Sequence, residues 1–401
     1  MGPPVKHITL KLKIFYLIHR FVIYSLLLSS SFVAAKSGGD FLEDLETDTS
    51  SFELEDALEK EPLTITKTYS TDVDLLLSDD IQVERYAADF EVGIGDNTIG
   101  FGFSRTEYDV DFFGPGLRTE NLREGSSNYS LSLSHKWSDL LTSSVSVSGY
   151  EGFTSFRSVW FANFFEQTVG QNPAFREQGD PFGISASLTN TFSLPNEVDS
   201  ISWTLSYARD SIVPGQSNTF TQNGLDVIVG DETLDTIATS ITGNFYITNR
   251  ITTQWFARAA FVSDRELRTQ FRVKAAWNPI DRLTLRGEIG ATFEPTNFQA
   301  FFGGGTITYQ ILPSLSLTAG YRVYTDTGEI TSGNFNTAAP GADTNEVSAS
   351  LLWTTGTHSL SASVAYVQTE LDDLSAANVN FSQIFSDREF LAVRTAYTYR
   401  F

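Results

Sequence analysis

The chain has 401 residues, a formal net charge of −22 at pH 7, a pI of about 4.5 and no cysteine. Strong acidity argues against nucleic acid as a partner, and the lack of cysteine excludes disulfides, thiolate catalysis and cysteine metal sites. No 18-residue apolar run lies outside the N-terminus, so no transmembrane helix is predicted. The mean hydropathy of −0.12 is silent about strands whose residues alternate.

Residues 1–35 differ from the rest. Lys6, Lys11, Lys13 and Arg20 precede the apolar stretch 21–28, and "SSSFVAAKS" places Val33 and Ala35 at the −3 and −1 positions of a cut after Ala35. This pattern predicts a cleaved secretory signal peptide; a membrane anchor is the alternative, for which the apolar core is short. Cleavage removes four positive charges and leaves 23 Lys+Arg against 49 Asp+Glu, a net −26. Residues 36–63 form an acidic segment with ten carboxylates and no strand pattern, ended by Pro62. Such a composition suits a solvated linker or one or two short helices. A periplasmic docking or plug role is the alternative.

From residue 64 to 401 the pattern has period two. In "NYSLSLSHKW", Tyr129, Leu131, Leu133, His135 and Trp137 share a face, and Asn128, Ser130, Ser132, Ser134 and Lys136 share the other. "GISASLTNTF" and "HSLSASVAY" repeat the scheme. Strict alternation predicts half-buried strands. Fifteen start near Ile81, Asn97, Asn128, Thr142, Gly183, Ser200, Leu234, Ile251, Leu267, Leu283, Phe298, Leu315, Asn345, His358 and Arg388. Short connections ("GDN", "SDLL", "LPNEVD", "TNR", "PID", "LPS", "TGT") alternate with longer ones such as 111–127, 153–182, 212–233, 327–344 and 370–387. Parity requires one more strand before Ile81, and "TKTYSTDVDLLL" supplies it. The expectation is an all-β fold: one transmembrane antiparallel up-and-down β-barrel of about sixteen strands, with both ends on one side.

Tryptophans check this topology. Trp137, Trp203, Trp255, Trp277 and Trp353 fall near the short-turn ends of their strands, on outward positions. Amphipathic rings at one membrane level form an aromatic girdle. The chain closes on "VRTAYTYRF", in which Val393, Tyr397, Tyr399 and Phe401 alternate. This tail is similar to the C-terminal assembly signal of bacterial outer-membrane β-barrels. The chain from 64 to 401 is identified as a member of that porin-like superfamily, with no subfamily assigned. The resemblance implies a place in the outer membrane of a Gram-negative-type bacterium. It implies contact with outer-membrane lipid and lipopolysaccharide and with the barrel assembly machinery, allows a homotrimer, and calls for no cofactor.

Sixteen strands leave a water-filled bore. On "LRTQFRVKAAW", Arg268, Arg272 and Lys274 face inward, with Arg258, Arg286 and Arg322 nearby. Inward acids gather elsewhere: Asp72, Asp74, Asp89 and Glu91. A basic wall opposite an acidic wall sets a transverse field. The bland alternative is local pairing, with Glu288 neutralising Arg286. The third outer loop, 153–182, carries Trp160 and Phe164 at helical spacing and resembles the constriction loop of sixteen-stranded general porins. Glu166, Glu177 and Asp180 on it could face the basic wall. A surface cap for a partner or lipopolysaccharide is the alternative. The glycines of "FGGGT" (302–306) lie mid-strand, where they make room for a packed group or a bend. His135 and His358, the two histidines beyond the signal sequence, sit outward near strand ends, so neither catalysis nor a metal site is expected. The sequence thus points to a channel for passive diffusion of small polar or charged solutes, or to a non-conducting barrel with a structural or surface-binding role.

Overall fold

The computed structural model describes residues 65–111, 122–153, 159, 181–194, 199–211, 219–222, 225–228, 233–263, 267–295, 298–328, 341–371 and 387–400. The predicted signal peptide and acidic segment lie outside them. The strands are β1 (Ile65–Leu77), β2 (Ile81–Ile94), β3 (Asn97–Val110), β4 (Leu122–Ser138), β5 (Leu141–Gly152), β6 (Phe182–Ser193) and β7 (Ser200–Ser211). Two short ones follow, β8 (Thr219–Gln222) and β9 (Leu225–Ile228). Next come β10 (Thr233–Thr248), β11 (Ile251–Val262), β12 (Leu267–Ile280), β13 (Leu283–Glu294) and β14 (Phe298–Leu312). The last four are β15 (Leu315–Asp326), β16 (Ala342–Thr355), β17 (His358–Leu371) and β18 (Arg388–Arg400).

Sixteen of these close into one antiparallel barrel; β8 and β9 form a separate hairpin within the connection from β7 to β10. Closure comes from β1 pairing β18, from Thr68↔Arg400 to Leu77↔Leu391. Both ends of the described barrel therefore lie on one side. A barrel has no unpaired edge, which is the condition for β structure in lipid. The predicted strand at residue 64 begins at Ile65. The strand predicted at Asn128 begins earlier, at Leu122, because "REGSS" lacks the alternation that pattern reading needs. The hairpin β8–β9 was not predicted.

At the end holding the termini, six of the seven connections are two-residue turns: Ile94↔Asn97, Ser138↔Leu141, Thr248↔Ile251, Ile280↔Leu283, Leu312↔Leu315 and Thr355↔His358 are paired across them. Gly95 and Gly356 open two of these turns at φ 58° and 50°, a left-handed backbone that glycine adopts without steric cost. The opposite end carries the long connections. It also carries three short ones, 78–80, 263–266 and 295–297, so the expected alternation of short and long is incomplete.

Cross-strand partners share a face. Phe101, Phe103, Tyr129, Leu131, Phe271, Ile289, Phe301 and Ile307 share the outer one, and all are exposed, Ile289 by 68%. So much bare apolar surface belongs in lipid. Outward charges stand beyond this band, with Lys67 at the short-turn edge and Glu84, Arg105, Glu107, Asp109, Arg123, Arg209 and Asp235 toward the long-loop end. On β4 the apolar band covers 129–137. Nine residues at ~3.4 Å rise and a ~40° tilt span about 23 Å, close to the ~25 Å band of outer-membrane barrels.

Candidate functional site

The face opposite the apolar band lines the lumen, and its chemistry is uneven around the ring. On β12 alternation turns Arg268, Gln270, Arg272 and Lys274 inward, while Leu267, Phe271 and Val273 point out. Register carries the same face to neighbouring strands. Arg258 pairs with Gln270, Arg286 with Ala276 and Thr306, and Arg322 with Gly304 and Glu346. Six cations thus share one wall from β11 to β15.

Three carboxylates stand close to these cations. Glu294, 1% exposed, accepts from Nε and Nη2 of Arg268 at 3.0 and 2.9 Å. Glu288 lies 3.9 Å from Lys274 Nζ and 3.4 Å from Arg322 Nη2. Sequence spacing suggests Arg286 as the partner of Glu288; the register instead sets Lys274 directly opposite it. Glu346, buried, stands opposite Arg322 on the far side. Aromatic rings hold two guanidinium groups: Arg268 lies 4.7 Å above Phe298 and Arg272 5.2 Å above Phe256. Such contacts fix the plane of a cation near a wall. With Asp326 of β15, whose register partner is the inward Ala300, six cations stand against four carboxylates and the wall is net positive.

The wall across the bore is different from the expected acidic face. Around the ring β2 stands eight strands from β12 in either direction, and Asp72, Asp74, Asp89 and Glu91 do turn inward there. Arginines interleave them. Arg394 reaches Asp72 at 3.1 Å and Asp74 at 3.3 Å, and Arg85 reaches Asp74 at 3.2 Å. Higher up, Arg388, buried on β18, grips Asp80 of the β1–β2 turn at 3.0 Å. This wall is an ion-pair lattice laid over the closing seam. Arg85, Arg388, Arg394, Glu294 and Glu346 were missed in the sequence, although the same odd–even parity turns them all inward.

Between the charged walls runs a neutral one. From β4 to β10 the inward positions are mostly serine and threonine, joined across strands by hydroxyl pairs. These include Ser146–Ser187 at 2.7 Å, Ser148–Ser185 at 2.5 Å, Thr189–Thr204 at 2.9 Å and Thr191–Ser202 at 2.9 Å. Small hydroxyls satisfy one another and water alike, so the described residues of this wall offer a low, neutral, polar surface.

Exposure also changes along the bore. Toward the long-loop end the inward residues Leu76, Ile81, Val83, Tyr108, Val110, Ala238, Ala260, Val262, Ala300 and Val367 are buried. Nearer the short-turn end the inward hydroxyls and cations are mostly half-buried. The inward side chains are therefore more closely covered at the long-loop end than at the other. Val159, in the third outer connection, has helical backbone and is 2% exposed. Trp160, Phe164, Glu166, Glu177 and Asp180 lie outside the described residues.

Trp137, Trp203, Trp255, Trp277 and Trp353 all point outward, toward the short-turn ends of their strands. Two have their indole N–H satisfied by neighbouring hydroxyls: Trp137 donates to Ser143 and Trp203 to Thr239, each at 2.9 Å. The histidines join this aromatic ring. His135 packs against Trp137, and His358 meets Tyr397 and Tyr399 of the last strand. Val393, Tyr397 and Tyr399 share the outward face of β18; Phe401 lies outside the described residues. Among the described residues no group of three or more His, Asp or Glu is placed to hold a metal ion.

No family model matches the chain, and no curated protein matches it. Among solved structures the chain is similar to a bacterial polysaccharide outer membrane secretin, with TM-score 0.48 and 8% identity over 84% of this chain and 98% of that one. It is also similar to OprD of Pseudomonas aeruginosa, with TM-score 0.43 and 8% identity over 84% and 95%. CdiB from Acinetobacter baumannii gives TM-score 0.46 and 9% identity over 82% and 60%. At such scores the likeness carries no function from those proteins to this chain.

Proposed function

We propose that this barrel is an outer-membrane channel for passive diffusion of small polar or charged solutes, with a preference for anions. The observation that supports this most is the division of the lumen. A net-positive wall on β11–β15 adjoins a serine and threonine wall on β4–β10, inside a sixteen-strand ring of a size that holds water. Cations set among carboxylates and aromatic rings attract anions, and the carboxylates beside Arg268, Lys274 and Arg322 keep that attraction moderate. On this reading the short-turn end and its tryptophan ring sit at the periplasmic headgroup boundary. Outer-membrane lipid and lipopolysaccharide surround the band, and the barrel assembly machinery inserts it.

The test is single-channel recording on refolded protein in planar bilayers. Discrete conductance steps, and a reversal potential in a salt gradient on the anion side, support the reading. A folded barrel with no conductance refutes it. One observation favours the second reading, a non-conducting barrel: the apolar inward collar of Leu76, Ile81, Val83, Val110, Val262 and Val367 at the long-loop end is buried.

A further inference from the structure

Bulky side chains on a pore wall have two choices: to project into the bore or to lie along the strands. Lying flat needs space on the neighbouring strand, and three inward glycines supply it. Gly183 on β6 is the direct partner of Tyr150 on β5. A β-carbon there would collide with the Tyr150 ring, whose hydroxyl donates to Asp210 on the next strand, β7. Gly290 on β13 is the direct partner of Phe302 on β14, and a β-carbon there would collide with the Phe302 ring. Gly304 on β14 is the direct partner of Arg322 on β15. A β-carbon there would stand 2.8 Å from Arg322 Cγ and 2.9 Å from the Tyr321 carbonyl oxygen.

In two of the three cases the long side chain crosses the glycine to reach a carboxylate two strands from its own. Arg322 passes over Gly304 to Glu288 on β13 at 3.4 Å, as Tyr150 passes over Gly183 to Asp210. The row runs Lys274, Glu288, Gly304, Arg322, Glu346 in direct register. A side chain in the middle of it would separate Glu288 from Arg322.

We propose that Gly304 is a seat for Arg322, one of a set with Gly183 and Gly290. Its missing side chain lets the guanidinium lie flat on the lumen wall against Glu288, which sets both the width of the bore and the charge that a passing solute meets. Gly304 is a positioning residue: it acts through Arg322. The effect on permeation rests on the channel reading, whereas the seat itself does not.

The test is the series Gly304→Ala, Arg322→Ala and the double variant, each refolded and recorded singly. In Gly304→Ala the arginine leaves the wall, so conductance should fall below about two-thirds of wild type. The reversal potential should move further toward anions. In the double variant conductance should match that of Arg322→Ala alone. Identical conductance and reversal potential in Gly304→Ala and wild type overturn the proposal. A defect that persists in the double variant also overturns it, because the cause is then backbone crowding against Tyr321. If wild type carries no current, the channel reading falls and the seat is still decided by thermal unfolding of Glu288→Gln with and without Gly304→Ala. Glu288→Gln should lower the midpoint clearly in wild type and much less in Gly304→Ala. Equal shifts in both backgrounds refute the seat.

Discussion

Glu294 offers the sharpest energetic test of the lumen wall. It is 1% exposed, and its partner Arg268 is 23% exposed, so solvent screens the pair weakly. Both bonds from Arg268 fall on the same carboxylate oxygen, at 3.0 and 2.9 Å. Replacing Glu294 by Ala removes both and leaves a guanidinium held over Phe298 beside a cavity. Breaking a buried pair by deleting one partner costs about 3–5 kcal/mol. Glu294→Gln keeps a carbonyl acceptor and loses the charge, so the loss should be smaller, about 1.5–3 kcal/mol, the worth of a hydrogen bond to a charged group. Adding Arg268→Gln to Glu294→Gln should recover part of that loss, since the uncompensated charge is gone. Urea titration in detergent micelles, followed by tryptophan fluorescence, reads all three. A cost under about 1 kcal/mol for Glu294→Ala would show that water reaches the pair freely, and the reading of Glu294 as a buried anchor for Arg268 would fail.

Changing Arg268, Arg272 and Lys274 together to Gln should move the reversal potential toward cations, most at low salt where screening is weak; an unchanged potential in a folded barrel counts against a role for this wall. Register predicts a contrast of neighbours. Phe271→Arg places a charge in the lipid band at a cost of roughly 2–4 kcal/mol, whereas Gln270→Arg should fold normally, and equal behaviour of the two in micelle or liposome refolding would disprove the facing. Arg394→Ala removes the arginine that bridges Asp72 and Asp74 across the seam, and its heat-modified gel shift should occur at a lower temperature than that of wild type. Deleting Phe401 should reduce the amount of folded barrel in the outer membrane; normal amounts of a heat-modifiable species would show that the tail is not an assembly signal.

Strand number and facing were legible in the sequence because a β-strand has a side-chain period of two, and a one-residue slip would turn charges such as Arg272 and Lys274 into lipid. The short turns were legible as breaks between alternating segments, and at two of them Gly95 and Gly356 supply the left-handed backbone that few other residues adopt. Parity placed the strand at Ile65 from a weak pattern, because an antiparallel barrel with both ends on one side needs an even count. The inward cations were visible one at a time. Their partners were not, since strand alternation says which way a side chain points and nothing about what stands opposite. Glu288 was assigned to Arg286 by spacing and belongs to Lys274 and Arg322 by register. Arg394 and Asp72, 322 residues apart, meet because β1 closes on β18. The mid-strand glycines of 302–306 were visible as a motif, but only the pairing of Gly304 with Arg322 showed that its empty side-chain position is filled by a neighbour. Local periodicity determined where each residue faces. The partner each one meets was decided by the tertiary structure, because closing the ring and setting its register are properties of the whole chain.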